Sequence, residues 1–204
     1  MSPTGGSNPQ GPRVVVVAGA PGSGKTTLAR YLATALTLPL FTKDDIKETL
    51  FDTLGWGDRA WSRKLGTAAV ALLFRCIEAE LAAGRSFIVE SNFHPARANE
   101  DFQALRARYR FQPCVVYCHA EEAVLLARFA ARAHSTDRHP GHVDQQNYDE
   151  VAAAMRGGIY GPPAIGGPVI PVDTTDFARL DYPALLAAIR AAATPAAGSG
   201  EAHQ

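Results

Sequence analysis

Cysteine is scarce in this 204-residue chain, with three in all: Cys76, Cys114 and Cys118. An odd count without close pairing gives no disulfide framework. Cys114 and Cys118, four apart in an apolar run that reads as a strand, stand roughly 13 Å from each other at about 3.3 Å per residue. All three read as reduced packing residues. Neither sign of charge is in excess, since Lys+Arg and Asp+Glu number 20 each. That balance weighs against an extended nucleic-acid surface, yet a local phosphate pocket needs only a few cations. No run reaches the roughly 20 apolar residues that span a bilayer. The first twelve residues, rich in Gly, Pro and Ser, lack the apolar stretch of a signal peptide. The cytoplasm is the expected location. With no internal repeat and no domain-sized linker, the length suits one domain, expected over residues 13–193 between a flexible 1–12 segment and a flexible 194–204 tail.

What the chain does have is alternation of strand and helix patterns. Arg13 to Ala18 contains four consecutive valines, a β-branched run of the kind buried on both faces of a parallel sheet. A helical pattern follows, with Leu28, Leu32 and Leu36 on one face. Further strands are predicted at Pro39–Thr42, Ser86–Glu90, Pro113–Cys118 and Val169–Val172. Helices are predicted over about 58–83, from Pro95, over 121–133, around Tyr148–Met155 and from an Asp181 cap. Residues 134–143 read as a mobile loop. The pattern indicates an α/β sheet that is largely parallel.

Between the first strand and the first helix lies Gly19-Ala20-Pro21-Gly22-Ser23-Gly24-Lys25-Thr26, with Thr27 next. It matches the phosphate-binding loop pattern G-x-x-x-x-G-K-[ST] in its required strand–helix context. Glycines let the backbone wrap an anion, and the helix offers its positive end to the same group. Lys25 is expected to reach the β- and γ-phosphates of ATP, and the Thr26 hydroxyl to ligate Mg²⁺. The guanine-reading Asn-Lys-x-Asp of small GTPases and the Leu-Ser-Gly-Gly of ABC-type ATPases are both absent.

Thr42-Lys43-Asp44-Asp45-Ile46-Lys47 closes the second strand, and ligands bind beyond the carboxyl ends of such strands. Phosphorylating an alcohol needs a carboxylate that takes the hydroxyl proton and aims the oxygen. Asp44 is the first choice for that base and Asp45 the second; the competing reading is a pair of helix-capping acids. Arg128 and Arg132, four apart, share a helix face, and Arg138 follows. His134, His139 and His142 lack a recognised zinc spacing. Trp56 and Trp61 read either as acceptor-pocket lining or as packing at a helix entry.

The loop sequence, the Lys43-Asp44-Asp45-Ile46-Lys47 strand end and Glu90-Ser91-Asn92 together resemble the P-loop kinases grouped around polynucleotide kinase, zeta-toxin-like kinases and chloramphenicol phosphotransferase. The resemblance spans about residues 13–175. It implies a P-loop NTPase fold with a five-stranded, mainly parallel sheet in the order 2-3-1-4-5, flanked by helices and carrying a short arginine-bearing lid. It implies Asp44 as general base, and Asp45, Lys47 and Asn92 at the acceptor, with His94 either beside them or a plain loop histidine. Glu90 takes the place of the acid, often Asp in such kinases, that holds Mg²⁺; acceptor duty and a buried, hydrogen-bonded structural acid are the other readings. Arg128, Arg132 and Arg138 are implied to close over the triphosphate, where a forked cation suits phosphate oxygens, with Arg132 as the catalytic one. Tyr160–Pro163 and Asp173–Thr175 resemble the segment near adenine. Lys47 lacks the fork of the arginine that polynucleotide kinase has there. The expected reaction is therefore transfer from Mg·ATP to a small-molecule hydroxyl, ahead of a polynucleotide 5′-hydroxyl kinase or an ATP-binding switch without transfer.

Overall fold

The computed structural model describes residues 11–192; the two terminal segments expected to be flexible lie outside them, apart from Gly11 and Pro12. Pro12 already belongs to the sheet's margin, its carbonyl accepting from Gln112 N at 2.9 Å. The valine run forms the central strand β1 (Arg13–Gly19), and Val14 to Val17 are completely buried. The other strands are β2 (Leu40–Thr42), β3 (Phe87–Glu90), β4 (Gln112–His119) and β5 (Val169–Asp173). They form one sheet in the order β2-β3-β1-β4-β5, with every pairing parallel.

Successive strand residues point to opposite faces, so the run divides its valines between two cores. Val14 and Val16 join Leu73, Ile77, Phe87, Phe102 and Leu105 under helices α3 (Arg59–Ala82) and α4 (Pro95–Arg108). Val15 and Val17 join Leu28, Leu32, Ile88, Val116 and Ile189 under α1 (Lys25–Leu36) and α7 (Tyr182–Ala191). The remaining helices are α2 (Lys43–Leu54), α5 (Glu122–Ala133) and α6 (Tyr148–Arg156). Caps fall where the side-chain chemistry asks for them: Asp58 accepts from Trp61 N, and Asp181 from Ala184 N. Pro95 occupies the first turn of α4, where a missing N–H costs nothing. The three cysteines are free thiols; burial pushes Cys114 up to about 11 and Cys118 up to about 12.

One expectation fails here. Residues 134–143 are irregular apart from a 3₁₀ turn at Pro140–His142, yet they are pinned: His142 is buried, and a second turn at Asp144–Asn147 follows with Asp144 and Asn147 buried. The reason is non-local, since α2 supplies the partners described below.

Phe102 anchors one core face. It is fully buried, with edge-on contacts to Phe74 and Phe93 at ring-centroid distances of 5.3 and 5.8 Å. Phe102→Ala is expected to cost about 3–5 kcal/mol and lower the melting temperature by about 10 °C. Urea unfolding followed by circular dichroism measures it; a cost of about 1 kcal/mol or less would mean that the site collapses around the cavity.

Candidate active site

The phosphate-binding loop runs from the end of β1 into α1. Gly22 and Gly24 have φ of +80° and +70°, where side chains are strained. Space is also closed there: a Cβ on Gly22 would overlap the Leu125 carbonyl, and one on Gly24 the Phe177 ring. Gly24 is the N-cap of α1 and supplies no side-chain cap, which leaves the first-turn N–H groups to an anion. Lys25 is 8% exposed. Its ammonium donates to the Ala20 carbonyl at 3.4 Å and lies 3.8 Å from Glu90 Oε1. Burial lowers its pKa, against the pull of Glu90 and Asp44.

Thr26 Oγ1 donates to Glu90 Oε2 at 2.9 Å. Burial raises the Glu90 carboxyl against the pull of Lys25, and an added cation would offset that cost. A hydroxyl and a carboxylate in contact are hard oxygen donors. They fit Mg²⁺, which takes one or two protein oxygens and completes its shell with phosphate and water. Thr27 is exposed.

The competing capping role falls to Thr42, whose hydroxyl accepts from Asp45 N at 3.0 Å. The two acids then part. Asp44 lines a cleft of about 200 Å³ together with Lys25, Glu90 and Asn92. Its Oδ1 is 2.8 Å from Lys43 Nζ and its Oδ2 accepts from Arg138 Nη1 at 2.9 Å. Burial alone would raise this carboxyl; Lys43, then Arg138, hold it well below the usual carboxylate range. Asp45 instead faces outward, 3.5 Å from Arg30, with its side chain 58% exposed. It does not line the cleft, and its expected acceptor role finds no support. Lys47 lies one turn on from Asp44 and lines the same cleft. Its ammonium donates to Ser62 Oγ at 2.9 Å and stands over the Phe51 ring. Burial lowers its pKa to about 8, with Lys43 adding to the effect. Asn92 accepts from Lys43 at 3.3 Å. His94 is exposed at the start of α4 and lies outside the cleft.

The three arginines also part. Arg132 and Arg138 line the cleft and meet at Asp144 Oδ2, which is 3.7 Å from Arg132 Nη2 and accepts from Arg138 Nε at 2.8 Å. Arg128 turns away despite its helical spacing. It donates to the Thr174 and Thr175 carbonyls at 2.9 and 3.0 Å and stacks over Phe177. Thr174 is itself buried, bonded to the Ser23 carbonyl of the phosphate loop at 2.8 Å. Asp173–Thr175 therefore abuts the loop, and Tyr160 lines the cleft.

The lid grips α2. His142 Nε2 is 2.8 Å from Glu48 Oε1, and His139 Nε2 is 3.2 Å from Asp52 Oδ1. Burial lowers His142 to about 2, so a neutral ring donates to Glu48. Phe51 fits between the two imidazoles, stacked on His139 and edge-on to His142. His134 meets Gln145, and among the described residues no cluster of His, Cys, Asp and Glu could hold a metal. Trp61 serves the entry of α3 by donating to the Gly55 carbonyl, and Trp56 is 55% exposed; neither lines the cleft. Sequence reasoning missed Arg59, Asp144, Asn147 and Glu150, all in the lining, and weighed His142, also there, only as a zinc ligand. The spacing of Asp44, Lys47 and Phe51 marks the inward face of α2, and a period count there would have separated Asp44 from Asp45.

Residues 14–157 match the family described as AAA domain. The chain belongs to that family. A curated relative of this AAA domain chain, named shikimate kinase, from Rhodopirellula baltica, is 30% identical over 149 residues, covering 71% of this chain and 73% of that protein. A crystal structure from Chloroflexus aurantiacus J-10-fl, described as a "putative kinase", is 38% identical with a TM-score of 0.84, covering 91% of this chain and all of that one. An unliganded sugar kinase from Janibacter sp. HTCC2649 is 19% identical with a TM-score of 0.50, over 91% of this chain and 99% of that one, a likeness of fold alone. No helix among the described residues of the AAA domain chain is long and apolar enough to cross a membrane.

The depressed Lys47 gives a pH signature. Between its folded pKa of about 8 and the ordinary lysine value of 10.5, the unfolded chain binds more protons, so this group makes stability rise with pH across that window. Wild type is expected to gain urea resistance relative to Lys47→Met between pH 7.5 and 10. Parallel midpoints for the two proteins across the range would show that Lys47 titrates normally.

Proposed function

We propose that this P-loop kinase transfers the γ-phosphate of Mg·ATP to a hydroxyl of a small-molecule acceptor. The observation that carries the reading is the placing of Asp44. An ionised, charge-paired carboxylate shares one small cleft with the phosphate-loop lysine and two lid arginines. The 30% identity to a protein named shikimate kinase, and the 38% identity to one described as a kinase, support the same class.

In this reading the uncapped start of α1 and Lys25 hold the β- and γ-phosphates. Thr26, with Glu90 beside it, holds Mg²⁺, which supplies charge neutralisation of the phosphate oxygens. The acceptor oxygen lies against Asp44, and Lys47 and Asn92 contact the rest of the acceptor. As the new P–O bond forms, the bond to the β-phosphate oxygen breaks. The hydroxyl proton passes to Asp44, and ADP leaves with the bridging electrons. Arg132 and Arg138 meet the charge on the transferring group, where fixed donors act most strongly. Asp44 stays ionised because Lys43 and Arg138 hold its pKa down, so it orients the hydroxyl well before the proton moves. Three free thiols and a need for ATP suit the cytoplasm.

Asp44→Asn is expected to lower acceptor-dependent ADP release by about 10²–10⁴-fold, with Mg·ATP affinity unchanged by calorimetry. Lys25→Ala is expected to weaken both. The screen spans sugars, hydroxy acids including shikimate and gluconate, nucleosides, aminoglycosides, chloramphenicol-like compounds and 5′-hydroxyl oligonucleotides. The reading fails if no acceptor raises ADP release above the rate with water, or if Asp44→Asn transfers phosphate at the wild-type rate. Preference for oligonucleotides with steep salt dependence would move the acceptor to nucleic acid.

A further inference from the structure

A site built for a polyphosphate gathers cations, so a buried carboxylate in its roof opposes the ligand and calls for a reason. Asp144 is such a group. It opens the second 3₁₀ turn, is 8% exposed, and lines the cleft that holds Lys25 and Asp44. Its contacts are both guanidiniums: Arg138 Nε at 2.8 Å and Arg132 Nη2 at 3.7 Å.

Neither arginine is used up by that contact. The hydrogen bonds of Arg138 run from Nε to Asp144 and from Nη1 to Asp44, and among the described residues Nη2 donates none. Arg132 Nε is buried without a hydrogen-bond partner. The two guanidiniums repel each other. The other acids that Arg138 meets are Asp44 at 2.9 Å and Glu48 at 3.6 Å. Without Asp144 these two would be the carboxylates left within reach of Arg138, and its Nε would lose its anchor in the roof.

We propose that Asp144 is a positioning residue for phosphotransfer, tying Arg138 through Nε and offsetting the charge it shares with Arg132, so that both keep donors free for the moving phosphoryl group. This rests on the kinase reading above. Asp144 touches neither substrate in this scheme; it acts through the arginines, which must be in place before charge develops. A carboxylate that repels bound nucleotide while arming its transition state favours turnover over tight ground-state binding.

The test needs no known acceptor. Calorimetry on the full chain compares Mg·ADP with Mg·ADP plus aluminium fluoride, a mimic of the transferring phosphoryl group. Wild type is expected to prefer the fluoride complex by about 100-fold or more. Asp144→Asn should cut that preference about tenfold, the scale of one lost charge-assisted contact, with Mg·ADP affinity held or raised as the repulsion is removed. Asp144→Glu should restore part of it. In an Arg132→Ala/Arg138→Ala background, Asp144→Asn should add nothing, because the interaction it makes is already gone. Equal loss of both affinities, or a further loss in the double-alanine background, would assign Asp144 to folding and overturn the proposal. An undiminished preference in Asp144→Asn would overturn it too. If wild type itself shows no preference for the fluoride complex, the kinase reading fails and the proposal falls with it.

Discussion

A lysine ammonium held almost out of water, with its nearest carboxylate 3.8 Å away, is the constraint around which this molecule is arranged. Burying such a charge is costly unless it is paired, and Glu90 pairs it only loosely while sharing its other oxygen with Thr26. Burial pulls both groups toward their neutral forms. The fold thus presents a poorly compensated cation at the mouth of an uncapped helix, and a polyanion is the ligand that settles the account.

The parallel sheet makes the arrangement possible because it brings distant residues to one edge. Glu90 is in register with Val17 on one side and with Thr42 on the other. Three neighbouring strands therefore end together, delivering the phosphate loop, the buried glutamate and the Lys43-Asp44 pair to one rim. Val14 and Val16 pack into one core and Val15 and Val17 into the other, which holds the central strand from both faces.

The local chemistry of this site could be read from the chain. The strand order stands where the family resemblance put it, the glycine-rich loop joins β1 to α1, and Asp44 lines the cleft. What escaped reading depends on partners far along the chain. Arg128 and Arg132 have the same helical phase within an error of one position, yet the Thr174 and Thr175 carbonyls, over forty residues later, capture the first and leave the second to the cleft. Residues 134–143 carry Pro, Gly and polar side chains, a composition that resembles loose chain. Their order comes from Glu48, Phe51 and Asp52, which lie roughly ninety residues earlier. Asp144 gave no local signal, because a lone acid after a valine says nothing until two arginines fold over it.

Phe51 sits between two lid histidines, with Gly141 pressed so close that a β-carbon there would come within 2.7 Å of the ring. The ring belongs to the helix that also bears Asp44, so the roof and Asp44 are fastened to a single rod. Phe51 is 1% exposed, and parting the roof from α2 would wet a ring that is now dry. Burial of that phenyl face therefore favours the closed contact between roof and helix.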